Sequence, residues 1–170
     1  MARPLARLVA AALLFSPLAA TVALPAQAQQ APQREPNGQM TNVLPDPPDG
    51  WKADEVRLAG GVIAMYSGVS AERTYSKGDM RVVVSATRSN TLNKAIAGSI
   101  ANTGTLPPGA RVEVVAGRRA VVAEAKTPRR LTVQIPAGTT GLLMLVTDSA
   151  TLQDLAALAK EANFTLLTDR

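Results

Sequence analysis

Residues 131–146, LTVQIPAGTTGLLMLV, decide the fold. Leu131, Val133 and Ile135 alternate with Thr132 and Gln134, the two-residue period of a strand with one buried face. Pro136 to Gly141 has the composition of a turn, and Leu142 to Val146 is apolar at every position, as in a central strand covered on both sides. A connection this short joins neighbouring strands antiparallel, because a parallel pair needs a crossover of a dozen residues or more.

Working outward, the chain after this hairpin reads as a helix. Ser149 or Thr151 caps it, and Leu152, Leu155, Ala156, Leu158, Ala159 and Ala162 form one apolar stripe. Asn163 is expected to end the helix in a left-handed turn, with Phe164, Leu166 and Leu167 tucking the tail down. Upstream, Arg111 to Val115 leads through Gly117-Arg118-Arg119 to Ala120 to Ala125, a second pair of strands. Before Pro107-Pro108-Gly109 the period lengthens. Leu92, Ile96 and Ile100 recur every four residues, with Asn90 or Thr91 as the expected cap, so this segment is a short amphipathic helix.

Earlier still, Val56 and Leu58 alternate with charges, Gly60-Gly61 reads as a turn or bulge, and Val62 to Tyr66 is a short apolar run. Val69, Ala71, Arg73 and Tyr75 alternate with polar residues up to Ser76-Lys77-Gly78-Asp79, a hairpin turn, and Met80, Val82 and Val84 return. The order is strands, helix, strands, helix. It predicts an α+β fold, a single mostly antiparallel sheet with two helices packed on one face.

Residues 1–28 have the makings of a cleavable secretory signal: Arg3 and Arg7, the apolar run Leu8 to Phe15, and the small-x-small pattern Ala26-Gln27-Ala28. Ser16-Pro17 and Pro25 interrupt the apolar stretch, which argues against a membrane-spanning helix. Residues 29–49, rich in Gln, Pro, Asn and Asp, read as a flexible leader, and residues 50–170 as the α+β domain. The expected location is the bacterial periplasm, with no transmembrane segment in the mature chain.

Composition narrows the chemistry. The chain has neither cysteine nor histidine, which removes Ser-His-Asp triads, Cys-His pairs, disulfides and imidazole metal sites. The net charge is +5, and loss of residues 1–28 takes two arginines and no acid, leaving +3. That is too mild for a nucleic-acid binder. Thr91-Leu92-Asn93-Lys94 departs from the Ser-x-x-Lys form at its first residue and lacks the companion motifs. No catalytic set, metal or cofactor is therefore expected, and the chain reads as a non-enzyme.

Leu44-Pro45 to Gly50-Trp51, Ala71-Glu72-Arg73-Thr74-Tyr75, the Gly117 hairpin and the closing helix resemble small exported proteobacterial proteins of uncharacterised function. The order of elements is also similar to the PsbP/Mog1-like α+β fold. The resemblance implies a fold and an accessory or binding role, and it carries no catalytic residues.

The candidate binding residues are basic and aromatic. Arg118, Arg119, Lys126, Arg129 and Arg130 lie around one predicted hairpin, where arginines can grip a carboxylate, a phosphate or anionic headgroups. The same charges also serve to keep a sheet edge from aggregating. Arg73 and Tyr75 share a strand face and suit a ligand cleft, or an arginine stem covering apolar surface. Trp51, the single tryptophan, suits an anchor for the leader or an aromatic ligand platform. The expected function is a non-catalytic domain recognising a periplasmic protein or envelope component. The alternative is a carrier of a small anionic or amphipathic ligand, and an enzyme working through Ser, Lys or carboxylates stands last.

Overall fold

The computed structural model describes residues 37–63 and 66–168; the expected signal segment, and the expected leader up to residue 36, lie outside them. Eight strands form one sheet: β1 (Lys52–Ala53), β2 (Arg57–Ile63), β3 (Tyr66–Lys77), β4 (Met80–Arg88), β5 (Ala110–Val115), β6 (Arg118–Lys126), β7 (Arg129–Ala137) and β8 (Gly141–Thr147). Their order is β1-β3-β4-β8-β7-β6-β5, with β2 pairing β3 beside β1. Every pairing among the described residues is antiparallel. With helices α1 (Asn37–Thr41), α2 (Asn90–Ala101) and α3 (Leu152–Lys160), the architecture is α+β.

Turn chemistry sets the hairpins. Ala116 and Gly117 both take positive φ, +51° and +74°, and a two-residue turn of this kind matches the twist of the strands it joins. Gly78 does similar service between β3 and β4 at φ +57°. Gly60-Gly61 is not the expected turn or bulge. Both glycines lie inside β2, in unbroken register with Val69 and Gly68.

The core lies on one face of the sheet. Val84, Leu145, Val133 and Val122 stand opposite one another across β4, β8, β7 and β6, and all four are fully buried. Leu155, Leu158 and Ala159 of α3 join the same cluster, and Phe164 and Leu167 close it from the tail. Each fully buried side chain of this size stabilises the fold by roughly 1.5–3 kcal/mol. Thr151 caps α3 in a reciprocal capping box with Asp154. Asn163 has φ −83° and does not make the expected left-handed turn; its N–H donates to Val43 O at 3.0 Å instead.

That bond ties the tail to the segment expected to be leader. Within residues 37–49, Met40 and Val43 are fully buried and Leu44 nearly so, whereas Asn42, Asp46, Pro47 and Asp49 are exposed. Met40, Val43 and Leu44 have the i, i+3, i+4 spacing of a single helical turn, too short to stand out in a polar segment.

The two longer helices do not share a face. The buried Val121 and Leu142 belong to residues that alternate away from Val122 and Leu143, and neither joins the core cluster. Ile100 of α2 is also buried outside that cluster, and its carbonyl accepts from Arg119, which points with Val121. Thus α2 covers the far face at the β6–β8 end. Asn93, buried in α2, fixes it there by donating to the carbonyls of Ala137 at 3.4 Å and Gly141 at 2.5 Å. Its N-cap is Ser89, ahead of the expected Asn90 or Thr91.

Candidate functional site

The basic cluster read around one hairpin is divided by the fold. β6 runs from Arg118 to Lys126 over nine residues, so its two ends stand about 26 Å apart. Arg118 and Arg119 lie at the β5–β6 turn, whereas Lys126, Arg129 and Arg130 surround the β6–β7 turn at the other end.

Three of the five arginine and lysine side chains are occupied in holding the structure. The Arg118 guanidinium stacks over the Phe164 ring, 4.3 Å from its centroid. Arg119 donates to the Ile100 carbonyl at 2.9 Å. Arg129 donates to the carbonyls of Asp148, Ser149 and Ala150 at 3.1–3.4 Å, which pins the loop entering α3. The Lys126 and Arg130 side chains are exposed and make no hydrogen bond or ion pair with another described residue.

Trp51, Arg73 and Tyr75 form the seam between the leader and the sheet. Trp51 is buried in the core, and Tyr75 is fully buried. The Tyr75 hydroxyl donates to Pro45 O, and burial pushes its phenol up to about 12 despite the Arg73 charge beside it. Arg73 donates through Nε to Asp54 O at 2.8 Å and lies 5.8 Å from the Tyr75 ring centroid. The three are packing and capping groups.

An open surface lies at the end of the sheet that carries the β6–β7 turn. There the β3–β4 turn, the β6–β7 turn and the β8–α3 loop converge on a cleft of about 800 Å³. Asp79, Arg81, Arg129 and Asp148 line it, with Met80 and Pro128. Thr147 ties two of its walls together. The buried Thr147 hydroxyl donates to Arg81 O at 2.6 Å and accepts from Ser149 N at 3.1 Å and Ala150 N at 2.9 Å. Ser149 Oγ accepts from Arg81 N at 3.0 Å, so the backbone carrying Arg81 is held on both sides.

Register puts Arg81, Asp148 and Arg130 in one row across β4, β8 and β7, since Val82, Thr147 and Leu131 are mutual partners one residue away. The two arginines are therefore separated by two strand spacings, about 10 Å. Between them a smaller depression of about 160 Å³ is floored by Val83 and Val146. The Arg81 side chain, like that of Arg130, has no hydrogen bond or ion pair with another described residue. Sequence reading missed Arg81 and Asp148. The only local sign was their position beside turn residues, and neighbouring turns meet in space only once strand order is known.

The Thr91-to-Lys94 segment makes no site: Thr91 and Lys94 are exposed on α2, and Asn93 between them is a buried structural donor. No helix among the described residues is long and apolar enough to cross a membrane. Comparison with protein-family models, with curated proteins and with solved structures gives no match to the chain.

Proposed function

We propose that this protein is an exported, non-catalytic binding domain that recognises an anionic surface of a periplasmic or envelope partner through the Arg81–Arg130 end of its sheet. The observation carrying the reading is the placement of Arg81 and Arg130 around one open depression, exposed and with side chains that have no partner among the described residues, with the exposed Lys126 at the neighbouring β6–β7 turn. Unpaired guanidinium groups on a fixed backbone lose little entropy when they grip carboxylates or phosphates in bidentate fashion. The filled core and the openness of the cleft suit a flat partner better than an enclosed small ligand. Export through residues 1–28 supplies the compartment.

The test is site-specific photo-crosslinking in cells. A photoreactive residue at Lys126 should capture an envelope component, and one at Lys94 on α2 should not. The double change Arg81→Ser with Arg130→Ser should remove the adduct while leaving the far-ultraviolet circular dichroism unchanged. Equal adducts at both positions, or adducts indifferent to the double change, would remove this end of the sheet as the binding surface.

A further inference from the structure

Among the described residues, strand β5 leaves one edge of the sheet unpaired, and its side chains do not guard it in the usual way. Edge strands are commonly protected by unpaired lysines or by proline within the strand. β5 reads Ala110-Arg111-Val112-Glu113-Val114-Val115, where Arg111 and Glu113 pair with each other and so cancel. Val114 is 72% exposed, more than Leu58 at 50%, the other large apolar side chain standing out from the described surface.

The main-chain register shows which groups point outward. Val115 and Arg118 close the two-residue turn, and Glu124 N donates to Gly109 O. The odd-numbered residues of β5 thus bond to β6, and the N–H and C=O groups of Val112 and Val114 face out along the free edge. Ala110 offers only its C=O, because its N–H already donates to Pro107 O at 3.0 Å.

We propose that β5 pairs antiparallel with β5 of a second copy about a two-fold axis through Val112. Val112 then bonds reciprocally to Val112 of the other copy, and Val114 N–H meets the Ala110 carbonyl twice. The odd-numbered residues come into register as Arg111 opposite Glu113, also twice, at the close non-hydrogen-bonded positions where cross-strand charge pairs interact most strongly. A two-fold axis through Glu113 satisfies the backbone equally but sets Glu113 against Glu113. Charge therefore selects the Val112 axis. On the opposite face the pairing lays Val114 beside Ala110 and flanks the Val112 pair, covering the most exposed of these apolar side chains. One short strand buries far less than a standard interface, so the association is weak, about micromolar or looser.

Sedimentation equilibrium of the protein up to about 1 mM, where even weak pairs form, should give a mass rising toward the dimer. Arg111→Glu alone and Glu113→Arg alone should each stay monomeric, since each sets like charges opposite. An equimolar mixture of the two should associate again, as should the exchanged double variant Arg111→Glu with Glu113→Arg. Val112→Pro, which removes an outward N–H at an edge where proline is tolerated, should weaken the dimer at least tenfold. Circular dichroism checks that each variant is folded. A wild-type mass that stays monomeric throughout would overturn the proposal. So would single charge reversals that still dimerise, or a mixture that does not.

Discussion

The Tyr75 hydroxyl donates a 2.6 Å hydrogen bond to the carbonyl of Pro45, a residue 30 positions upstream. It joins the proline-rich approach to the C-terminal end of strand β3, where both residues are buried. Tyr75→Phe leaves that carbonyl without its donor and should cost about 1–3 kcal/mol at neutral pH.

The same residue makes stability depend on alkaline pH. In the unfolded chain the phenol ionises near its ordinary value of 10, and in the folded protein near 12 because burial disfavours the phenolate. Between these values the unfolded state binds fewer protons, so stability falls as pH rises; below 10 the contribution is fully present. Urea unfolding at intervals from pH 9 to pH 12 should show this decline, and Tyr75→Phe should make it shallower. Identical slopes would mean that Tyr75 ionises as freely in the folded protein as in water.

Thr151 and Asp154 cap α3 reciprocally, and the Thr151 hydroxyl and N–H hold the Asp154 carboxyl below its ordinary range. Thr151→Ala should cost about 1 kcal/mol. Because the folded value is depressed, the Asp154 contribution is present above the unfolded value and fades as pH falls through the folded one. In acid, therefore, the wild type and Thr151→Ala should converge in thermal midpoint.

Leu155 is fully buried in the core cluster beneath α3. Leu155→Ala should destabilise by about 2–5 kcal/mol, read as a shift in denaturation midpoint with an unchanged slope. A change near zero would mean that the helix presents another face to the sheet.

Asn93 is the polar tether of α2, and Asn93→Ala leaves the Ala137 and Gly141 carbonyls without their side-chain donor. The expected cost is about 1–3 kcal/mol. Hydrogen exchange should quicken for α2 amides while those of α3 keep their protection, because α2 lies outside the main core. Uniform acceleration would show the two helices unfolding as one unit.

The divided basic cluster predicts two classes of arginine. Arg118→Ala loses its stacking on Phe164 and should cost about 0.5–1 kcal/mol, plus the apolar cover of its stem. Arg130→Ala should stay within about 0.5 kcal/mol of wild type in thermal unfolding. Equal losses at both positions would place Arg130 in the fold and not on a free surface.

Periodicity alone determined the strands β3 to β8, the helices α2 and α3, and the hairpins at Gly78 and Gly117, because alternation and turn residues act over a few positions. It also marked Leu155 and Val133 as core. The absence of histidine and cysteine limited the chemistry without any coordinates. What only the tertiary structure decided was which local pieces meet. Arg118 and Lys126 are near in sequence yet stand at opposite ends of an extended strand, whereas Arg81 and Arg130, far apart in sequence, are brought into one row by strand order. The burial of Met40 and Val43 was hidden for the same reason: one helical turn has too few apolar residues to signal itself, and only the sheet beneath it and the tail beside it make the burial favourable. Side of packing is equally non-local. The stripe Leu92, Ile96, Ile100 says that α2 has an apolar face, but the residues waiting for it, Val121 and Leu142, are chosen by strand parity across the sheet.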